Sequence, residues 1–299
     1  MKTLTILSGK GGVGKTMLSS SLAVLFAKQT KIVACDCDVD ASNLALALGI
    51  EESAFEWQEI ETSEKAKLVE EKCNACKKCL QSCVFSAISW NEKKNKPEFN
   101  RFLCEGCGAC SLICPENAIE IERVKNGRIG SAKSMYGFTI VSGQLKMGEA
   151  GSGKIVDTLK EKALAIAEKQ RAELLICDSA AGISCPVIAS IRGSDFVVAV
   201  TEPSPASFRD LKRALQIVNY FNIPYGIVIN KWDINKELSE EIERFAGDKF
   251  LGRIPYDKKV IDAIVNLTPV VETECKAAKK IEEIKKKLEI ILKAKVKLQ

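Results

Sequence analysis

Histidine is absent from all 299 residues. That removes the Ser-His-Asp triad, the papain-type Cys-His pair, His-ligated zinc and the Rieske centre from consideration. Long apolar runs are missing too. No stretch of about eighteen apolar residues occurs, so no segment is expected to span a membrane. Residues 1–7 are too short and polar to read as a secretion signal. Charge of one sign is scarce outside the C-terminal end. The net charge is +5, and residues 274–297 hold nine lysines against four glutamates, so the rest of the chain is balanced. Such a balance gives little support to nucleic-acid binding, which needs a basic patch on a folded face.

Cysteine is what the chain has in excess, thirteen in all. The expected location is cytoplasmic, where thiols stay reduced, so metal ligation is considered before disulfides. Eight cysteines obey one spacing rule twice. Cys73-x2-Cys76-x2-Cys79-x3-Cys83 returns as Cys104-x2-Cys107-x2-Cys110-x3-Cys114, and Ala87-Ile88 returns as Ala118-Ile119, always 31 residues on. Spacings of two residues let three thiolates wrap one corner of a cluster, with the fourth ligand taken from the other repeat. The expectation is one 4Fe-4S cluster on Cys73, Cys76, Cys79 and Cys114 and a second on Cys104, Cys107, Cys110 and Cys83. The segment resembles a bacterial two-cluster ferredoxin module, although Val84 follows Cys83 where Pro115 follows Cys114. A pair of zinc sites is the alternative. Zinc ribbons use two C-x2-C pairs and leave the third and fourth cysteine of each motif unexplained.

Ahead of this segment stands Ser8-Gly9-Lys10-Gly11-Gly12-Val13-Gly14-Lys15-Thr16, followed by Met17. It contains G-x4-G-K-T between a β-branched run at 2–7 and a helical pattern from 15 to about 28. Glycines there turn backbone N–H groups inward around phosphates, at a helix N-terminus that favours anions. Lys15 is expected on the β/γ-phosphates and Thr16 on Mg²⁺. A second G-x4-G-K string, Gly148 to Lys154, has Ile155 where the Mg²⁺-binding hydroxyl belongs, and reads as a helix start. Apolar strand runs at 31–36 and 174–177 end in Asp36 and Asp178, and Asp38 and Asp40 follow the first. Asp178 is expected to hold Mg²⁺ through water. Further strand runs at 138–145, 196–201, 225–229 and 250–254 alternate with helical patterns such as 207–221. The fold expected is a parallel, doubly wound α/β sheet, with residues 1–62 and 125–299 forming one discontinuous domain around an inserted module, 63–124.

The form K-G-G-x-G-K-T resembles the deviant Walker loop of the superfamily of MinD, ParA and the nitrogenase iron protein. The resemblance runs from residue 1 to about 270 and includes Asp36-x-Asp38 with Asn43-Leu44, Asp178, and Gly182-x2-Cys185-Pro186. It implies an ATPase in which Lys10 crosses a dimer interface to the partner's nucleotide, Asp38 positions the attacking water, Asp36 supports the Mg²⁺ site and Gly182 senses the γ-phosphate. It implies that Asn230, in Asn230-Lys231-Trp232-Asp233, contacts adenine and that Pro255 lies beside the base, although N-K-x-D is also the guanine-reading motif of GTPases.

Cys35, Cys37 and Cys177 read as small core residues. Cys275 carries no assignment, and Cys185 stands where one ligand of an intersubunit cluster falls in the nitrogenase iron protein. The C-terminal pattern Ile281, Ile284, Leu288, Ile291 and Leu292 reads as a packed helix with a solvated lysine face, not a membrane anchor. The function expected is ATP hydrolysis coupled to electron transfer from two clusters to a redox or metallocofactor partner protein, through a nucleotide-dependent homodimer. An assembly factor for a metal cofactor and a MinD-like positioning ATPase with a redox sensor remain open.

Overall fold

Seven buried runs cross the molecule side by side, all pointing the same way. The computed structural model describes residues 1–149 and 152–294. Its strands are β1 (Lys2–Ser8), β2 (Ile32–Asp36), β3 (Glu56–Ile60), β4 (Ser63–Leu68), β5 (Ile88–Asn91), β6 (Lys96–Phe99), β7 (Ile119–Val124), β8 (Gly127–Lys133), β9 (Thr139–Leu145), β10 (Leu174–Ala181), β11 (Phe196–Thr201), β12 (Tyr225–Asn230) and β13 (Phe250–Ile254). The main sheet has the order β13-β12-β11-β1-β10-β2-β9-β8-β3. From β13 to β9 every pairing is parallel, and β8 and β3 are added by antiparallel pairing. The expectation of a wholly parallel sheet is corrected at that edge. Glu56–Ile60 and Gly127–Lys133 lack the continuous apolar character of a strand covered on both faces, which β2 and β11 have.

The helices are α1 (Lys15–Ala27), α2 (Leu44–Ala47), α3 (Lys78–Ser82), α4 (Ala109–Leu112), α5 (Ser152–Gln170), α6 (Cys185–Ile191), α7 (Pro205–Tyr220), α8 (Lys236–Ala246), α9 (Lys258–Val265) and α10 (Lys276–Ala294). One face of the sheet is covered by α1 and α10, whose Leu18, Leu22, Ile281, Ile284 and Leu288 are buried with Ile6, Ala34 and Ile176. The other face carries α5, through Ile155, Leu159 and Ala163 against Val33, Cys35 and Cys177. Beside it pack α6, α7 and α8. Helix α10 is thus a packed helix, as the periodicity indicates; Lys295 and Lys297 of the basic stretch lie outside the described residues. Helix α5 begins inside the second G-x4-G-K string, as expected there; residues 150 and 151 of that string lie outside the described residues. No helix among the described residues is long and apolar enough to cross a membrane.

The main sheet is left after Ile60 and re-entered at Gly127. Between them β4 pairs with β7, and β5 with β6, each antiparallel and separate from the main sheet. Asn126, fully buried, pins the two crossings together. Its Oδ1 accepts from Thr62 N at 2.8 Å, and its carbonyl accepts from Lys146 N at 2.9 Å at the end of β9.

Candidate functional site

The turn between β1 and α1 is shaped by close approach. A Cβ on Gly9 would lie 2.3 Å from the Asp210 backbone of α7. Gly14, at φ 96°, opens α1 in a left-handed conformation, and a Cβ there would lie 2.3 Å from Asn230 Nδ2. Gly11, Gly12, Gly14, Lys15, Thr16, Met17 and Asp38 line one cleft of about 510 Å³, with Asn43, Ile264 and Leu267 on its far wall. That is the size of a small-molecule site.

Beneath the cleft Lys15, Thr16, Ser19 and Asp178 converge, with Asp38 beside them. Lys15 Nζ lies 2.9 Å from Asp178 Oδ1 and 4.0 Å from Asp38 Oδ2. Thr16 Oγ1 donates to Asp178 Oδ2 at 2.6 Å, and Ser19 Oγ donates to Asp178 Oδ1 at 2.7 Å. Burial pulls the Lys15 ammonium toward neutrality, but Asp178, backed by Asp36 and Asp38, outweighs it and leaves Lys15 above the ordinary lysine value. Asp36 is fully buried; burial and the charge of Asp178 push its carboxyl up to about 8. Its oxygens accept from Leu44 N at 2.8 Å and from Asp38 N at 3.2 Å, which folds the loop holding Asp38. Burial raises the Asp38 carboxyl above the usual range against the pull of Lys15.

The remaining candidates surround this floor. Gly182, at φ 99°, follows β10 and donates its N–H to Ser8 O at 2.9 Å. Lys10 is exposed, and among the described residues no ion pair or hydrogen bond is formed by its side chain. Asn230 lies beneath the loop: its Nδ2 donates to Val13 O at 2.8 Å and its Oδ1 accepts from Lys231 N at 3.0 Å. Its amide therefore braces the phosphate loop, a role the sequence did not indicate. Asp233 Oδ1 accepts from Tyr256 N at 2.7 Å. Pro255 lines a neighbouring groove with Asp233 and Tyr256, outside the cleft that holds Lys15.

In the inserted segment the 31-residue repeat is also a repeat of backbone. Ala75, Lys77 and Ser86 adopt positive φ, as do Gly106, Gly108 and Asn117, the positions 31 residues on. Ala87 N donates to Cys83 Sγ at 3.3 Å and Ala118 N to Cys114 Sγ at 3.3 Å. Lys96 Nζ donates to Cys73 O at 2.6 Å, and Lys65 Nζ to Cys104 O at 2.8 Å. One cavity is lined by Cys73, Cys76, Cys79 and Cys114, the other by Cys83, Cys104, Cys107 and Cys110. Burial raises the Cys79 thiol and pushes Cys110 up to about 11, with neighbouring thiols acting the same way.

These donor sets can be tested against the two groups considered. Tetrahedral zinc, with Zn–S of ~2.3 Å, requires sulfurs about 3.8 Å apart. Among the described residues only Cys35, Cys37 and Cys177 bring three sulfurs within 4.8 Å of one another. The eight repeat cysteines are more widely set, which a cluster with its ligands on separate irons accommodates. Cys35, Cys37 and Cys177 themselves are fully buried between the sheet and α5, as core residues are. Cys185 is exposed at the first turn of α6, and Cys275 is buried ahead of α10.

The family model of the CobQ/CobB/MinD/ParA nucleotide-binding domain matches residues 4–270. An uncharacterised protein of Methanocaldococcus jannaschii is 37% identical over 285 residues, covering 95% of each chain. The septum site-determining protein MinD of Helicobacter pylori is 25% identical, covering 95% of this chain and 89% of its own. Among solved structures, the Mg-ADP complex of MinD from Pyrococcus horikoshii superposes with a TM-score of 0.59 at 16% identity, over 96% of this chain and 95% of that one. The MinD cell division protein of Aquifex aeolicus gives 0.60 at 20% identity, over 97% of each. The phosphate loop, the parallel sheet and the matched span agree: the chain belongs to the CobQ/CobB/MinD/ParA family of nucleotide-binding P-loop proteins.

Proposed function

We propose that the chain is an ATP-hydrolysing switch of the MinD/ParA type whose inserted segment holds two 4Fe-4S clusters as its redox-responsive part. The observation that carries this reading is the sorting of eight cysteines into two cavities, each lined by three from one repeat and one from the other, on a chain that also carries a phosphate loop. Bound clusters would supply one-electron redox change.

On the ATPase side, Lys15 and Thr16, tied to Asp178, are the groups that take the phosphates and Mg²⁺. Asp178, bonded to Thr16, would hold Mg²⁺ through water. Asp36 acts one step back, by holding the loop that presents Asp38 to the attacking water. Lys10, exposed and without a partner among the described residues, is free to reach the nucleotide of a second copy. Gly182, next to Ser8 and on the second switch, is free of side-chain obstruction where the γ-phosphate would be felt. ATP is favoured over GTP by the form of the phosphate loop, K-G-G-x-G-K-T. Phosphoryl transfer asks the protein for position and charge rather than covalent chemistry, which this cleft provides. A cytoplasmic setting suits thirteen free thiols.

Full-length likeness to septum site-determining proteins favours a switch that places or recruits a partner, with the clusters sensing redox state. A second reading, electron delivery to a partner protein, draws on the 38% identity over 60 residues to the indolepyruvate oxidoreductase subunit IorA of Pyrococcus horikoshii, 20% of this chain. The deciding experiment measures ATP-dependent dimerisation of anaerobically prepared protein, oxidised and reduced. A dimerisation constant that changes with redox state supports the sensor. An unchanged constant, with ATP accelerating oxidation of the reduced protein by an added acceptor, supports electron delivery. Protein with bound zinc and no acid-labile sulfide ends both readings.

A further inference from the structure

Each half of the inserted segment sets one lysine in the same role, and beside one of the two a residue from outside the segment intrudes. Lys65 and Lys96 are 31 residues apart and do the same thing: each ammonium donates to the carbonyl oxygen of the first cysteine of a motif, Lys65 to Cys104 and Lys96 to Cys73. Lys96 has as its other partner the carbonyl of Glu70, inside the segment, at 3.0 Å. Lys65 instead faces Glu149 Oε2 at 3.6 Å, both side chains nearly buried at 5% and 6% exposure. Glu149 belongs to the loop between β9 and α5, on the ATPase side. Its Oε1 accepts from Arg101 Nε at 3.0 Å, while among the described residues Oε2 has no hydrogen bond, so that Arg101 and Lys65 are the two cations beside this carboxylate.

That loop is joined directly to the nucleotide side. Leu145 N donates to the carbonyl of Val39 at 2.9 Å, and Val39 follows Asp38. Three residues separate Leu145 from Glu149, and Glu149 N donates back to Lys146 O at 3.0 Å, so this piece of chain is a tight turn rather than a slack linker. A displacement of the Asp38 loop therefore pulls on Leu145 and, through the turn, on a buried carboxylate. In a low-dielectric setting the position of one charge beside another is felt strongly. Lys65 donates to Cys104 O and is ion-paired with Glu149, and Ala66 N donates to Cys104 Sγ at 3.4 Å. Moving Glu149 changes both the charge and the hydrogen bonding next to Cys104.

We infer that Glu149 and Lys65 are positioning residues that connect the Asp38 loop to the Cys104-bearing cavity, and that the cavity served by Lys96 has no such connection. The inference rests on the two-cluster reading for its redox consequence, and on the backbone hydrogen bonds and the Lys65–Glu149 ion pair for its mechanical one. Of the two clusters, the one on Cys104, Cys107, Cys110 and Cys83 is the one whose reduction potential answers to nucleotide. The surrounding hydrogen bonds and charges are the levers by which a protein sets such a potential.

The test uses the full chain, prepared anaerobically, with and without a non-hydrolysable ATP analogue and Mg²⁺. Two readouts are taken on wild type, Glu149→Gln, Lys65→Met and the control Lys96→Met. The first is amide hydrogen exchange, which does not need a cluster. In wild type the analogue should alter protection over residues 145–149 and also over 64–68, which includes the Ala66 amide. In Glu149→Gln and Lys65→Met the response at 145–149 should remain and that at 64–68 should be lost. The second readout is potentiometric titration. One of two potentials should shift with the analogue in wild type and in Lys96→Met, and neither in Glu149→Gln or Lys65→Met. Iron and sulfide analysis separates the two layers: protein without clusters ends the redox consequence, while the exchange data still decide the connection. A wild-type segment 64–68 blind to the analogue overturns the inference. So does an undiminished response in both substituted proteins. Should Glu149→Gln fail to fold, Lys65→Met carries the same measurements, with Lys65→Arg expected to restore the response.

Discussion

Thr16 and Asp178 are joined by a 2.6 Å hydrogen bond across the space between α1 and the end of β10. The same carboxylate holds Lys15 and Ser19, so one aspartate organises three side chains of the phosphate-binding helix. Its loss has two separable effects. Lys15 is only 7% exposed and would be left as a buried cation without its nearest partner. Breaking such a pair by removing one member costs about 3–5 kcal/mol. Asp178→Ala should therefore lower the stability of the nucleotide-free protein by roughly that amount in denaturant titration, and should abolish Mg²⁺-dependent tightening of nucleotide binding. Wild-type stability in the variant would mean that the ion pair contributes nothing net.

Asp38 stands apart from this network, 4.0 Å from Lys15 and partly exposed. A group that holds the attacking water acts mainly in the transition state, so its removal should spare binding and slow hydrolysis. Asp38→Ala is expected to bind ATP·Mg²⁺ about as wild type does and to hydrolyse it at least roughly tenfold more slowly, about 1.4 kcal/mol in barrier height. Single-turnover hydrolysis measured beside nucleotide affinity decides it. Unchanged hydrolysis shifts the role to another group, and lost affinity makes Asp38 a member of the metal site.

Lys10 has no partner within its own chain among the described residues, which suits a residue that acts on a second copy. Sedimentation of the Asp38→Ala protein with ATP should show a dimer, and adding Lys10→Ala should weaken that dimer by at least roughly tenfold, again about 1.4 kcal/mol. Lys15→Ala should lose nucleotide affinity in the monomer. A dimer indifferent to Lys10→Ala removes the trans role.

Asp36 provides a pH dependence. Its carboxyl stays protonated up to about 8 in the folded protein, against 3.8 as the ordinary value. Between those limits the folded state holds more protons at this group than the unfolded chain does. Stability contributed here therefore falls as pH rises from about 4 to about 8. In protein free of nucleotide and Mg²⁺, Asp36→Asn should flatten that part of the Tm-against-pH curve relative to wild type. It should also lose one of the two backbone hydrogen bonds, since an amide has a single acceptor oxygen. Parallel curves for the two proteins would show that Asp36 is ionised throughout.

Much of this architecture is legible in the chain itself. The parallel strands announce themselves because burial on both faces demands unbroken apolar runs such as Ile32–Asp36 and Phe196–Thr201. The two edge strands do not. Glu56–Ile60 alternates with charge and Gly127–Lys133 is rich in small residues, and the two meet only because Asn126 gathers both crossings of a long insertion. The phosphate loop is visible as a motif because its glycines are imposed by backbone geometry. The partners of its members are not: Ser19 on Asp178 and Asn230 on Val13 O are contacts across 159 and 217 residues with no local signal. The left-handed turns at Ala75 and Lys77 are hidden as well, since the second repeat marks those positions with Gly106 and Gly108 and the first does not. Glu149 fills an unspecified position of the second G-x4-G-K string, which says nothing of its role. Its meaning arises from burial beside Lys65.

The exchange of ligands between repeats gives the sharpest test of the inserted segment. Cys114 lies in the second repeat by sequence but lines the cavity of Cys73, Cys76 and Cys79, and Cys83 lines that of Cys104, Cys107 and Cys110. If each repeat held its own cluster, Cys114→Ala would disturb the loop from Cys104 to Cys110. The crossed arrangement requires the opposite. Anaerobic wild-type protein should hold about eight iron and eight sulfide per chain, and Cys114→Ala about four of each when one four-iron cluster is lost. Hydrogen exchange should then rise around Cys73–Cys79 and stay low around Cys104–Cys110, while Cys83→Ala should give the mirror result. Backbone amides that donate to the repeat cysteines, such as those of Ala118 and Ala87, make the exchange readout specific to each cavity. Faster exchange at Cys104–Cys110 in Cys114→Ala, with the other loop unchanged, would overturn the crossed assignment and leave two self-contained sites in its place.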